Sequence, residues 1–157
     1  METIHATLED AAEISAFLKE LADLGKRQRP WDEAYVREYY IGNPDSIQCS
    51  VAVGDDGAIL GLQSLTRAAE GNVYDVTPGW GIIGTHVKPS AARRGVGRAL
   101  FAATIKAAQN AGIGNIDATI GATNGEGLAY YEAMGFRTYR SMNGAICKML
   151  DVPFPSA

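Results

Sequence analysis

The chain has 157 residues, 46% hydrophobic and 20% charged, with a net charge of −4. That length and balance suit a single domain over 1–157 with a buried core, and they give no basic footprint for nucleic acid. No segment approaches the roughly 18 apolar residues of a membrane span, and the acidic stretch from Met1 to Ala12 does not read as a secretion signal. Cys49 and Cys147 stand far apart without metal-ligand spacing, which predicts free thiols in a cytoplasmic protein and no metal.

Thr3 to Leu8 reads as a first strand, and Asp10 and Glu13 suit the N-terminal end of the helix that follows. Ile14, Phe17, Leu18, Leu21 and Leu24 recur at helical spacing, and Gly25 ends that helix. Lys26 to Pro30 is a basic connector. Trp31 to Tyr40 reads as a second short helix rich in aromatic residues. Ile47 to Val53 and Ala58 to Thr66 are strands around Gly54-Asp-Asp-Gly57, a hairpin signal. Ala68 to Thr77 is polar and turn-rich. Trp80 to Lys88 is the next strand, interrupted by Gly81 and Gly84, each a mark of a bulge or of close backbone approach.

Gly95 to Ala111 is the second long helix, with Val96, Ala99, Leu100, Ala103, Ala107 and Ala111 at helical spacing and Gly112 as its stop. Asn115 to Gly121 is a strand. Asn124 caps a helix running to Met134, and Gly135 takes the C-terminal capping place. Phe136 to Met142 and Ala145 to Leu150 close the chain as a hairpin around Asn143-Gly144, leaving a tail at 151–157.

The stretch from Gly84 to Leu100 carries the chemistry. A strand stops at Pro89, a short basic loop follows, and a helix begins at Gly95 with Arg93, Arg94 and Arg98 around its start. The first N–H groups of a helix lack internal partners and its dipole is positive there, so bare glycine backbone at that point suits a phosphate or pyrophosphate. A P-loop would need Lys-Ser or Lys-Thr where Arg98-Ala99 stand, and a dinucleotide fingerprint would need glycine at Leu100.

What this stretch resembles is the pyrophosphate-binding motif of the GNAT superfamily of acyl-CoA-dependent N-acetyltransferases. Val87, Pro89, Gly95 and Gly97 match it, while Ala92 departs from the usual Gln or Arg. Asn124-Gly-Glu-Gly-Leu-Ala-Tyr-Tyr-Glu-Ala-Met-Gly-Phe136 is similar to a second stretch of the family. The order β-α-α-β-β-β-α-β-α-β-β is a third likeness, spanning nearly the whole chain. The resemblance implies an α+β fold, with a central, mostly antiparallel mixed sheet, a bulged or splayed central strand and flanking helices.

It also implies acetyl transfer from acetyl-CoA to a primary amine of a small molecule, by direct attack through a tetrahedral intermediate. Arg93, Arg94, Gly95, Val96, Gly97 and Arg98 would hold the pyrophosphate, with Arg93 standing in for the contact missing at Ala92. Backbone groups of Thr85, His86 and Val87, together with Asn124, would hold the pantetheine arm and the thioester carbonyl. Tyr131 aligns with the family's general acid, and Tyr130 is read as structural. No carboxylate lies on the strand from Trp80 to Val87, so the base stays open among His86, Glu70, Asp75 and water. Trp31, Tyr35 and Trp80 are the candidate pocket aromatics. The acceptor class is an amine, amino-acid-like compounds included, and the family suggests a homodimer. The alternatives are a non-catalytic acyl-CoA sensor, or acetylation of a protein N-terminus or a polyamine.

Overall fold

The computed structural model describes residues 1–155; the last two residues of the expected tail lie outside the described part. Strand β1 (Glu2–His5) leads through a 3-10 turn into helix α1 (Ala11–Asp23). Asp10 accepts the Thr7 backbone N–H at 2.8 Å and fixes the entry to that turn. α1 buries Ile14, Phe17 and Leu18, whereas Leu24 falls just past its end and is exposed.

The second helical segment, α2 (Glu33–Tyr35), begins two residues after Trp31 rather than at it, because Asp32 caps it by accepting the Tyr35 N–H. It continues as a π-helix over Val36–Ile41, closed by a Gly42 N–H bond to the Arg37 carbonyl. This wider winding gathers Tyr35, Tyr39 and Tyr40, with ring centroids 4.8 to 5.7 Å apart. π-helical winding frequently marks functional sites.

β2 (Ser46–Val53) and β3 (Ile59–Arg67) form the expected hairpin, β4 (Gly81–Val87) follows a long loop, and α3 (Val96–Asn110) follows the basic turn. β5 (Asn115–Gly121), α4 (Gly125–Ala133), β6 (Arg137–Met142) and β7 (Ala145–Asp151) complete the chain. The seven strands make one sheet in the order β1-β2-β3-β4-β5-β7-β6. α1 and the π-helix cover one face through Ile14, Leu18, Val36, Val51 and Leu62. On the other face, α3 and α4 pack over two clusters that include Leu65, Leu100, Ile113, Ile116, Ile120 and Phe136.

One pairing matters most. β4 and β5 are the sheet's parallel neighbours, and they pair only at Gly81–Ile116 and Ile82–Asp117. Beyond that point they splay. The register of β4 against β3 runs unbroken from Gly81 to Val87, so the opening lies wholly on the β5 side. Gly81 belongs to the close-approach reading: a Cβ there would lie 2.8 Å from Leu65 Cδ1.

Candidate active site

Alternation along β4 divides the site into two faces. Lys88 donates its N–H to the Leu60 carbonyl, which makes Lys88, His86 and Gly84 the residues bonded to β3. The backbone groups of Thr85 and Val87 therefore point away from β3, into the splay. Of the three residues expected to present backbone there, His86 spends its own on β3. Its side chain lies on the α1 face and that of Thr85 on the α3 and α4 face.

On the α3 and α4 face, the basic loop is built as its composition suggests. Gly95 caps α3 with φ of +79°, a left-handed conformation that glycine adopts without strain, and no acid occupies the first turn. Arg93, which also has positive φ (63°), Arg94 and Arg98 are exposed and make no ion pair among the described residues. A cluster of free cations and unbonded helix N–H groups fits a pyrophosphate. Gly97 sits against the Tyr130 ring, and the Tyr130 hydroxyl donates to the Gly97 carbonyl at 2.7 Å.

Tyr131 is buried, and its hydroxyl lies 2.8 Å from Thr85 Oγ1, beside the open edge of β4. Burial pushes its phenol well above the ordinary range, partly opposed by the bond to Thr85. The proton is thus held, as an acid requires. Asn124 caps α4 by accepting the Gly127 N–H at 3.0 Å, and it is exposed at the same end of the splayed strands.

On the α1 face, a cleft is lined by Arg29, Tyr39, Tyr40, Tyr74, Ser64, Gly84 and Thr119, among others. The Arg29 guanidinium lies 5.3 Å from the Tyr74 ring centroid, and Tyr74 and Tyr39 share a 3.0 Å hydrogen bond. The lining contains no Asp or Glu. Arg29 has no carboxylate partner among the described residues. Arg29 lies in the basic connector from Lys26 to Pro30. The same connector holds Arg27, buried and donating to the Pro30 carbonyl and to the Tyr40 hydroxyl.

His86 closes that chain. The Tyr40 hydroxyl, which accepts from Arg27, is hydrogen-bonded to His86 Nε2, 3.1 Å away. Burial first, then the charges of Arg27 and Arg29, push His86 down to about 3. Its imidazole is neutral and its Nε2 is engaged with Tyr40. Glu70 and Asp75 are exposed on the loop before β4, outside the cleft lining.

The three expected pocket aromatics also stand outside the lining. Tyr35 stacks behind Tyr39, Trp31 is exposed with Lys19 Nζ 5.5 Å over its ring, and Trp80 packs on Tyr139. Asp117 is wholly buried. It accepts from Thr119 at 2.7 Å and from Tyr139, binding β5 to β6 just where β4 departs.

Comparison with proteins of curated function finds no match. Solved structures share the whole fold. A GCN5-related N-acetyltransferase from Kribbella flavida is 22% identical, with a TM-score of 0.77 over 96% of each chain. The phosphinothricin acetyltransferase (Pat) from Sinorhizobium meliloti in complex with AcCoA is 18% identical, with a TM-score of 0.77 over 96% of this chain and 88% of that one. The GNAT domain of S. lividans PAT is also 18% identical, at 0.77, over 95% and 89%. The acetyltransferase (GNAT) family matches residues 13–136, most of the length, and the chain belongs to that family of enzymes.

Proposed function

We propose that this acetyltransferase moves an acetyl group from acetyl-CoA to the primary amine of a small molecule that also carries an anionic group, such as an amino acid. The observation that carries the substrate class is Arg29: an unpaired guanidinium in an aromatic cleft whose lining has no carboxylate. A polyamine or aminoglycoside would bring several cations to a site with none of the acids needed to hold them. A carboxylate or phosphinate would pair with Arg29. Phosphinothricin, named for one structural relative, is an amino acid of this kind.

Arg93, Arg94 and Arg98, with the N–H groups from Gly95 onward, would hold the pyrophosphate of acetyl-CoA, which supplies the activated acyl group as a thioester. The free N–H groups of Thr85 and Val87 would polarise the carbonyl, an effect typically worth about 3 kcal/mol at one donor. Tyr131 would protonate the departing sulfur. The amine must attack in its neutral form. A cleft with no carboxylate in its lining would not hold the ammonium form, so the proton would pass to water without a protein base.

The test is thiol release from acetyl-CoA against amino acids, their carboxamides, polyamines and aminoglycosides. Arg29→Gln should raise KM for amino acids about 10- to 100-fold and leave that for carboxamides unchanged. Tyr131→Phe should lower kcat by about 100-fold or more with acetyl-CoA affinity retained. Equal use of amino acids and their carboxamides would overturn the substrate class. Binding of acetyl-CoA without turnover would favour a sensor.

A further inference from the structure

Gln63 is fully buried in the middle of β3, an amide in a run of apolar side chains. Burying an amide is costly unless its hydrogen bonds are met. Here all are. Gln63 Oε1 accepts from the Thr104 hydroxyl of α3, and Nε2 donates to Thr85 Oγ1 at 2.9 Å and to the Tyr130 hydroxyl at 3.0 Å. The Gly97 carbonyl can only accept, so Tyr130 gives its proton to Gly97 and needs a donor facing its oxygen. That requirement fixes the orientation of the Gln63 amide.

Thr85 Oγ1 accepts from Gln63 and faces the Tyr131 hydroxyl at 2.8 Å, where either group can donate. With Thr85 as the donor, the Tyr131 proton has no acceptor among the described residues. We infer that Gln63 and Thr85 are positioning residues, a one-way relay of donated hydrogen bonds that leaves the Tyr131 proton free for the leaving group and stabilises the phenolate formed when it departs.

This rests on the acid role proposed for Tyr131. As the C–S bond breaks, the sulfur keeps the electron pair and takes the Tyr131 proton. The proton that the amine loses on becoming an amide restores the phenol. A hydrogen bond donated to an anion is about twice as strong as one between neutral groups, so Thr85 helps most after the proton has gone.

The experiment compares Thr85→Val and Thr85→Ser, each alone and with Tyr131→Phe, in thiol release from acetyl-CoA with the best amine found for wild type. Thr85→Val should lower kcat about 10- to 100-fold with both KM values nearly unchanged, and Thr85→Ser should recover most of that loss. In the Tyr131→Phe background Thr85→Val should cost nothing more. A loss of equal size in both backgrounds, or none in either, overturns the relay while leaving the acetyltransferase reading intact. Absence of turnover by wild type on every amine overturns the reading beneath it, and the relay with it. NMR of tyrosine Cζ gives a readout apart from activity. The Tyr131 resonance should move on Thr85→Val and return on Thr85→Ser, and an unmoved resonance refutes the bond.

Discussion

Gly97→Ala tests whether the start of α3 is fitted to Tyr130. Gly97 is the second residue of α3, where alanine is ordinarily favoured. Yet a Cβ at Gly97 would lie 2.6 Å from Tyr130 Cε1, with Cζ at 3.2 Å and Cδ1 at 3.3 Å. The ring cannot swing aside freely. Its hydroxyl is bonded to the Gly97 carbonyl and to Gln63, and its face meets Tyr131 at 4.9 Å between centroids. Overpacking of this kind costs about 1–3 kcal/mol, and a disturbed Tyr130–Gly97 bond adds about 1. Helix propensity returns at most about 1 kcal/mol. The net loss is about 1–3 kcal/mol, which for a chain of this size lowers Tm by about 2–12 °C. Calorimetric melting reads this directly, and titration with acetyl-CoA should show weaker binding as the cationic turn shifts. The loss should shrink in a Tyr130→Leu background. A variant that melts within about 1 °C of wild type would refute the fitted contact.

Two further predictions concern the loop and the cleft. Arg93 holds a left-handed backbone conformation that costs a non-glycine residue about 1–2 kcal/mol, so Arg93→Gly should leave Tm unchanged or raise it while weakening acetyl-CoA binding roughly 3- to 30-fold. A fall in both would remove the trade between strain and binding. His86 titrates at about 3 when folded against an ordinary 6.5, so the unfolded chain binds a proton that the folded one refuses between those values. Stability should therefore fall as pH drops from about 6 to about 4, by up to about 1.4 kcal/mol per pH unit from this group. Urea unfolding of His86→Gln should show a shallower decline over that range, and parallel curves for the two proteins would contradict the neutral, engaged imidazole.

The two halves of the site differ in how far the sequence reveals them. Val87, Pro89, Gly95 and Gly97 are contiguous, and what they build is backbone: a strand end, a turn and a helix start. Such features are local, so the residues that allow them can be read in order. The helices and strands were legible for the same reason, except where two windings share one apolar pattern. Tyr35, Tyr39 and Tyr40 suit an α-helix or a π-helix by spacing alone, and the π form brings all three rings together. Gln63 is also visible in the sequence. A lone amide at an inward position of the strand Ile-Leu-Gly-Leu-Gln-Ser-Leu must be fully bonded, and so points to a buried network.

The acceptor side is made differently. Arg29, the π-helix, Tyr74 and β4 reach one cleft from four separate segments, and nothing local in any of them marks the meeting. Lys26 to Pro30 shows how little residue type alone decides. Arg27 turns inward to the Pro30 carbonyl and Tyr40 and becomes structure, while Arg29, two residues on, stays unpaired over Tyr74. In the proposed reading, Arg27 sets the tyrosine that engages His86 and Arg29 chooses the substrate. The positive charge that would exclude polycations from the cleft would also favour the neutral amine that attack requires. Selection and activation would then come from one positive field.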